Sequence, residues 1–148
     1  MLSLIEKSRR IDDASYITQR YHLALAIWRE ARSETTRGMR LVGEVIKNRV
    51  EDSRWGDNYV SVITQPWQFS SYNSNDPQSK LFPKGHYDST GNHRSWINCW
   101  AIAGDVLDDP EDISHGCNHY FATYIPTPSW ADPDKLVTKE GVHAFYKL

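Results

Sequence analysis

The sequence predicts a mostly helical α+β domain carrying a small β element. Three observations point there. Three segments place apolar residues at helical spacing, and two short aromatic segments near the C-terminus are separated by prolines. The length, 148 residues, suits one hydrophobic core rather than two. One domain over residues 1–148 is therefore expected, with residues 1–13 a polar extension or short leading helix.

The elements follow in chain order. Asp12, Asp13 and Ser15 are N-cap candidates for a first helix, in which Leu23, Ile27 and Ala31 fall at i, i+4 and i+8. A second helix is expected over about Thr36 to Asp52. Met39, Val42, Ile46 and Val50 form its apolar stripe, flanked by Leu41 and Val45. A long polar segment, Ser70 to Asn92, is rich in Ser, Asn, Asp, Gly and Pro. A loop of that length in a compact domain points to function, and it reads as one wall of a cleft. A third helix, about Arg94 to Leu107, stacks Trp96, Trp100, Ala103 and Leu107, and Asp109-Pro110 ends it. His119–Tyr124 and Val142–Tyr146 read as short strands, set apart by Pro126, Pro128 and Pro133.

Composition narrows the function classes. Hydrophobic residues make up 39% and charged residues 24%, the balance of a soluble globular chain. Lys and Arg total 17 against 19 Asp and Glu, a formal charge of −2, so no broad cationic surface for nucleic acid follows. No run approaches the roughly 20 apolar residues of a membrane span, so stable membrane insertion is not expected. The opening residues, Met1 to Arg10, lack the apolar core of a secretory signal, and synthesis in the cytoplasm is the expectation. Cys99 and Cys117 allow one bridge at most and outline no disulfide framework, consistent with a reducing compartment. Aromatic residues stand out: six Trp and eight Tyr cannot all be core, so some line a surface or cleft.

Glu30 is the first candidate for chemistry. It lies three residues after Ile27 and seven after Leu23, on or beside the buried stripe. Desolvation there favours the neutral carboxyl, the form that donates a proton. A surface glutamate paired with Arg29 or Arg32 fits the periodicity as well, and position alone does not decide. His115-x-Cys117-x-His119 raises a zinc hypothesis, with His86, His93 and His143 as further ligands. On a strand the three alternate residues would share a face, although this is not a common zinc spacing and no His-Glu-x-x-His motif occurs. The ordinary alternative makes Cys117 a small core residue and His119 a polar tip among aromatics. No Gly-x-Ser-x-Gly elbow and no glycine-rich phosphate loop are present. What remains is an aromatic, polar cleft with few acids, which suits sugars: ring faces stack on C–H surfaces while amides and hydroxyls take the polar edges.

Five blocks, in order, carry a family resemblance. Ile27-Trp28-Arg29-Glu30-Ala31-Arg32-Ser33-Glu34 is followed by Gly38-Met39 and by Val42-Gly43-Glu44-Val45-Ile46-Lys47-Asn48-Arg49-Val50. Val62 to Ser70 ends in Gln68-Phe69-Ser70. His115 to Phe121 and Gly141 to Tyr146 close the pattern. Together they resemble the SleB-type cell wall hydrolases, the spore-cortex-lytic enzymes and their phage and bacterial relatives, over about Tyr21 to Lys147. Arg29 and Ser33 stand where glycines are common in that family, which bears on cleft shape beside Glu30.

The resemblance implies a lysozyme-like fold of the lytic-transglycosylase or goose-lysozyme kind, acting on peptidoglycan glycan strands without a cofactor. It places the catalytic acid at Glu30. Cleavage between N-acetylmuramic acid and N-acetylglucosamine then continues either by one-acid transglycosylation or by hydrolysis with a second carboxylate about 5 to 9.5 Å away. Glu34, Glu44, Asp57 and Asp76 are the second acids on offer, with Glu34 read as a solvated helix-end charge and Glu44 as a structural partner for Arg49 or a backbone amide. Matching blocks make Gln68 and Ser70 candidates to hold the acetamido group or orient Glu30. Tyr120 and Phe145 are candidates to stack a sugar ring, and His143 to touch substrate or position a cleft residue. The resemblance, with the binding repeats and secretion signal of the spore enzymes missing, suggests a phage-type endolysin acting in the periplasm or wall; the missing signal motivates a separate holin-type pore, and a monomer is expected. A glycan-binding module without turnover and a zinc amidase using His115, Cys117 and His119 are the competing readings.

Overall fold

The computed structural model describes residues 3–65, 69, 75–84 and 91–148, and for residues 4–13 the backbone alone. Four helices, α1 (Leu4–Ala31), α2 (Thr36–Val50), α3 (Tyr59–Thr64) and α4 (Asn92–Asp108), precede three strands, β1 (His119–Ala122), β2 (Leu136–Glu140) and β3 (His143–Tyr146). The class expected from sequence is the one observed.

Helix α1 does not begin at Asp12, Asp13 or Ser15 as expected. It starts at Leu4 and runs 28 residues, because no glycine or proline interrupts it and those residues sit inside the helix rather than capping it. Helix α2 starts where expected: the Thr35 side chain accepts a hydrogen bond from Gly38 N. Helix α4 ends just before Asp109-Pro110, also as expected. Its buried face is rotated, however, to Cys99, Ile102, Ala103 and Val106. Trp96 and Trp100 pack only partly buried at the edge of the core.

The core forms where α1, α2 and α4 meet. Leu23, Ala24 and Ile27 of α1 pack with Leu41, Val42, Val45 and Ile46 of α2 and with Ala103 and Val106 of α4, all fully buried. Gly43 permits the close approach: a Cβ there would stand 2.8 Å from Val106 Cγ2 and 3.2 Å from Ile27 Cδ1. The two thiols are free and buried in this structure. Among the described residues no helix is long and apolar enough to cross a membrane.

The strands form one antiparallel sheet in the order β1-β3-β2, with Tyr120 opposite Phe145 and Glu140 opposite His143. Every residue of β3 is buried, since the sheet is covered on both faces. Phe145 joins the helical core, while Ala144 and Tyr146 pack on the other face with Ala131, Trp130 and Phe121. Strand β2 went unexpected from sequence because Leu136 and Val137 are more than a third exposed and its order comes from pairing with β3. Helix α2 fastens the sheet to the helices: Asn48 Nδ2 donates to Cys117 O at 2.8 Å and Arg49 Nε to Asn118 O at 2.7 Å.

Candidate active site

Residues Leu23 to Arg29 of α1 are all buried, and Glu30, in the last turn, is the first to emerge, half-buried, into open space. Two cavities meet there. The larger, about 550 Å³, is aromatic, with Phe69, Tyr120, Phe121 and Trp130 in its walls beside Glu30, Arg49 and His143. The smaller, about 370 Å³, is polar, and joins Glu30 to Arg29, Arg32, Ser33, Asp76 and Gln78. Arg29 of α1 and Arg32, just past its end, build its outer wall. Arg29 Nε and Nη2 donate to Leu81 O and Ser79 O, both at 3.1 Å, while Arg32 Nη1 donates to Gln78 Oε1 at 2.8 Å. The Asp76 side chain accepts from Gln78 N at 2.8 Å and caps the 3₁₀ turn Pro77–Lys80. Thus the described part of the long polar segment does wall the cleft.

On the aromatic side Tyr120 stands beside Glu30, close enough for the Glu30 carboxylate to act on its phenol. Burial, and then the Glu30 charge, push that phenol well above its usual range against the opposing pull of Arg49. Tyr120 therefore keeps its O–H proton beside the carboxyl group. Arg49, 6% exposed, brings a cation into the same cavity, its guanidinium over the rings of Trp55 and Phe69. The His143 ring meets Tyr120 edge-on, with centroids 5.1 Å apart. Burial pushes His143 below its ordinary value, and the nearby Glu34 carboxylate opposes that shift.

Glu34 is not the solvated helix-end charge expected from sequence. Its side chain is only 10% exposed. Oε1 accepts from Val142 N at 3.0 Å and lies 3.1 Å from His143 Nδ1, an ion-pair distance without hydrogen-bond alignment. Gly141 leaves the space: it adopts φ +55, and a Cβ there would overlap the Glu34 carboxylate. The carboxylate thus clamps the β2–β3 turn to the end of α1.

The other sequence candidates divide. Tyr120 and His143 reach the aromatic cavity. Phe145 is not a stacking platform: it is fully buried in β3, packed in the core behind Tyr120. Gln68 and Ser70 lie outside the described residues, as does His86. The shared strand face that a zinc site needs does not form, because β1 begins only at His119, after a left-handed turn at His115 and Gly116. Cys117 Sγ instead donates to Ser114 O, and burial raises its thiol to about 11, so it is no ready nucleophile. His119 packs between Trp55 and Trp130. Among the described residues no three His, Cys, Asp or Glu side chains gather as metal ligands would. Glu44 is fully buried, paired with Arg40 at 2.7 Å rather than Arg49, and Asp57 is exposed. Arg49 is the site residue that sequence reading missed. The one signal was its place in the second helix, four residues after Val45 in the row that flanks the apolar stripe.

The sequence profile of the cell wall hydrolases matches residues 33–146. The chain belongs to that family. Two solved structures share the fold of this hydrolase. The catalytic domain of the Bacillus cereus SleB protein is 25% identical, with a TM-score of 0.67 over 88% of this chain and 91% of that one. The catalytic domain of the germination-specific lytic transglycosylase SleB from Bacillus anthracis is 24% identical, with a TM-score of 0.68 over 87% and 93%. The hydrolase is therefore of the SleB type, with the lysozyme-like fold expected from sequence. Its class of activity is the degradation of cell wall peptidoglycan. No curated protein matches the chain in sequence.

Proposed function

We propose that this cell wall hydrolase cuts the glycan strand between N-acetylmuramic acid and N-acetylglucosamine, as a lytic transglycosylase with Glu30 as its acid and then its base. The observation that carries the reading is the half-buried Glu30 carboxyl group at the meeting point of two cavities, with the Tyr120 phenol beside it. Neutral Glu30 gives its proton to the glycosidic oxygen, and that bond breaks as positive charge develops on the muramyl ring. The muramyl acetamido group stabilises the charge. Glu30, now a carboxylate, takes the proton from the primary hydroxyl of the same sugar, whose oxygen closes the anhydro ring on C1. Tyr120, as a donor, steadies the carboxylate between the two transfers.

The one-acid route is favoured because most alternative acids are engaged elsewhere. Glu34 is turned to Val142 and His143, Glu44 is paired inside the core, and neither lines the cavities beside Glu30. Asp76 does share the polar cavity with Glu30, and this favours one second reading, hydrolysis with Asp76 as the carboxylate that activates water.

Glu30→Gln tests the assignment, since an amide has the shape of the acid but no proton to give. The variant is expected to fold and bind purified sacculi while releasing no fragments, and a lytic Glu30→Gln protein would end the reading. Mass spectrometry of wild-type digests separates the routes. Anhydromuramyl ends are expected; reducing muramic ends that vanish in Asp76→Asn would establish hydrolysis instead, and free stem peptides would establish an amidase.

A further inference from the structure

The two cavities share more than Glu30. Tyr124 lines both of them as well. It sits just beyond β1, on the sheet side of the groove, while Glu30 belongs to the helical side. A polymer that fills both cavities therefore runs past both side chains.

Tyr124 is 79% exposed, the most exposed large hydrophobic side chain among the described residues. No described residue stacks on its ring or bonds its hydroxyl. Packing does not account for a tyrosine there, whereas a flat ring bordering a groove matches what the C–H face of a sugar needs. Its backbone, by contrast, is fixed. Thr123 N and Oγ1 both donate to Val142 O, at 2.7 and 3.0 Å, and Ile125 N donates to Ala122 O at 3.1 Å. Val142 N in turn donates to Glu34, four residues beyond Glu30. A short path of hydrogen bonds thus sets the separation between the α1 end that carries Glu30 and the loop that carries Tyr124. The ring is free to meet a ligand while its anchor is held.

We propose that Tyr124 is a substrate-binding residue that stacks on the glycan strand where it crosses from the aromatic to the polar cavity, opposite Glu30. The proposal rests on the glycan-strand reading given above. Its occupant is a pyranose ring of the strand, and the contact is made by the aromatic face rather than the hydroxyl. Loss of one stacked ring weakens strand binding without removing the proton donor.

The test uses soluble, peptide-free glycan strands of N-acetylglucosamine and N-acetylmuramic acid, with cleavage followed by chromatography of the fragments. Tyr124→Ala is expected to raise KM about three- to tenfold, the effect of losing one aromatic contact. Its kcat is expected to stay within about twofold, as for a contact made equally in ground and transition states. Tyr124→Phe is expected to behave as wild type. An unchanged KM in Tyr124→Ala, or a Tyr124→Phe protein as impaired as Tyr124→Ala, would overturn the proposal. Unchanged thermal midpoints guard against misfolding, which exposure at this position makes an unsuitable explanation in any case. Glu30→Gln on the same strands reports separately on the underlying reading: if it is inert and Tyr124→Ala is normal, only the Tyr124 proposal falls.

Discussion

A single hydroxyl separates Tyr120 from phenylalanine, and that hydroxyl keeps its proton beside Glu30, placed to donate to its carboxylate. Tyr120→Phe is expected to keep the ring packing against His143 and Phe145 while lowering activity about tenfold or more, the cost of a hydrogen bond to a charged group. Rates on purified sacculi at matched folded concentration measure it. His119 shows the other effect of burial. Desolvation, joined by Arg49 and Arg54, lowers its pKa from 6.5 to about 4. Between those values the unfolded chain takes up a proton that the folded protein refuses. Stability is therefore whole above pH 6.5 and falls as the pH drops towards 4. Urea midpoints across that range should flatten in His119→Gln, and an unchanged slope would assign the acid sensitivity elsewhere. Sequence could nominate these residues, since aromatic and titratable types were plain to see. It could not tell Tyr120, which faces the cavity, from Phe145, which is its cross-strand partner in the register.

Element by element, legibility followed the source of each element's order. Helices α2 and α4 carry their own stop and start signals and were readable to within two residues: Thr35 caps one, and Asp109-Pro110 ends the other. Strand β2 has no such autonomy. Its polar residues become a strand by pairing with β3, a contact between segments whose alignment sequence does not reveal. The helix–helix approach at Gly43 was likewise invisible as a need for a small residue. Gly43→Ala puts a methyl group 2.8 Å from Val106 Cγ2, so α2 and α4 must part. Overpacking is expected to cost about 1–3 kcal/mol, against the ~1 kcal/mol that alanine gains over glycine inside a helix, so the net change is a loss of up to about 2 kcal/mol. The denaturant midpoint reads this directly, and a stabilised variant would show that the interface yields.

Across the whole molecule, the groove exists because the helical and sheet parts are tied at fixed points. Asn48 and Arg49 hold the approach to β1, and Glu34 holds the β2–β3 turn beside Gly141. Gly141→Ala attacks the second tie alone, through its positive φ and through the space the Glu34 carboxylate occupies. It is expected to cost about 1–3 kcal/mol in stability. Activity should fall further than the fraction unfolded explains, because both Glu30 and the Tyr124 loop depend on that clamp. Sacculus lysis measured well below the thermal midpoint separates the two effects, and normal lysis there would refute the coupling. By itself the sequence determined the helical class, the family and the nomination of Glu30, since helical periodicity, caps and ordered motif blocks are local properties of the chain. Only the tertiary structure decided that Glu34 is a clamp, that Phe145 is core, that Cys117 and its neighbouring histidines share no face, and that Glu30 stands where two cavities join. Those facts depend on which distant segments end up side by side, and no spacing along one strand of sequence encodes a distance between two.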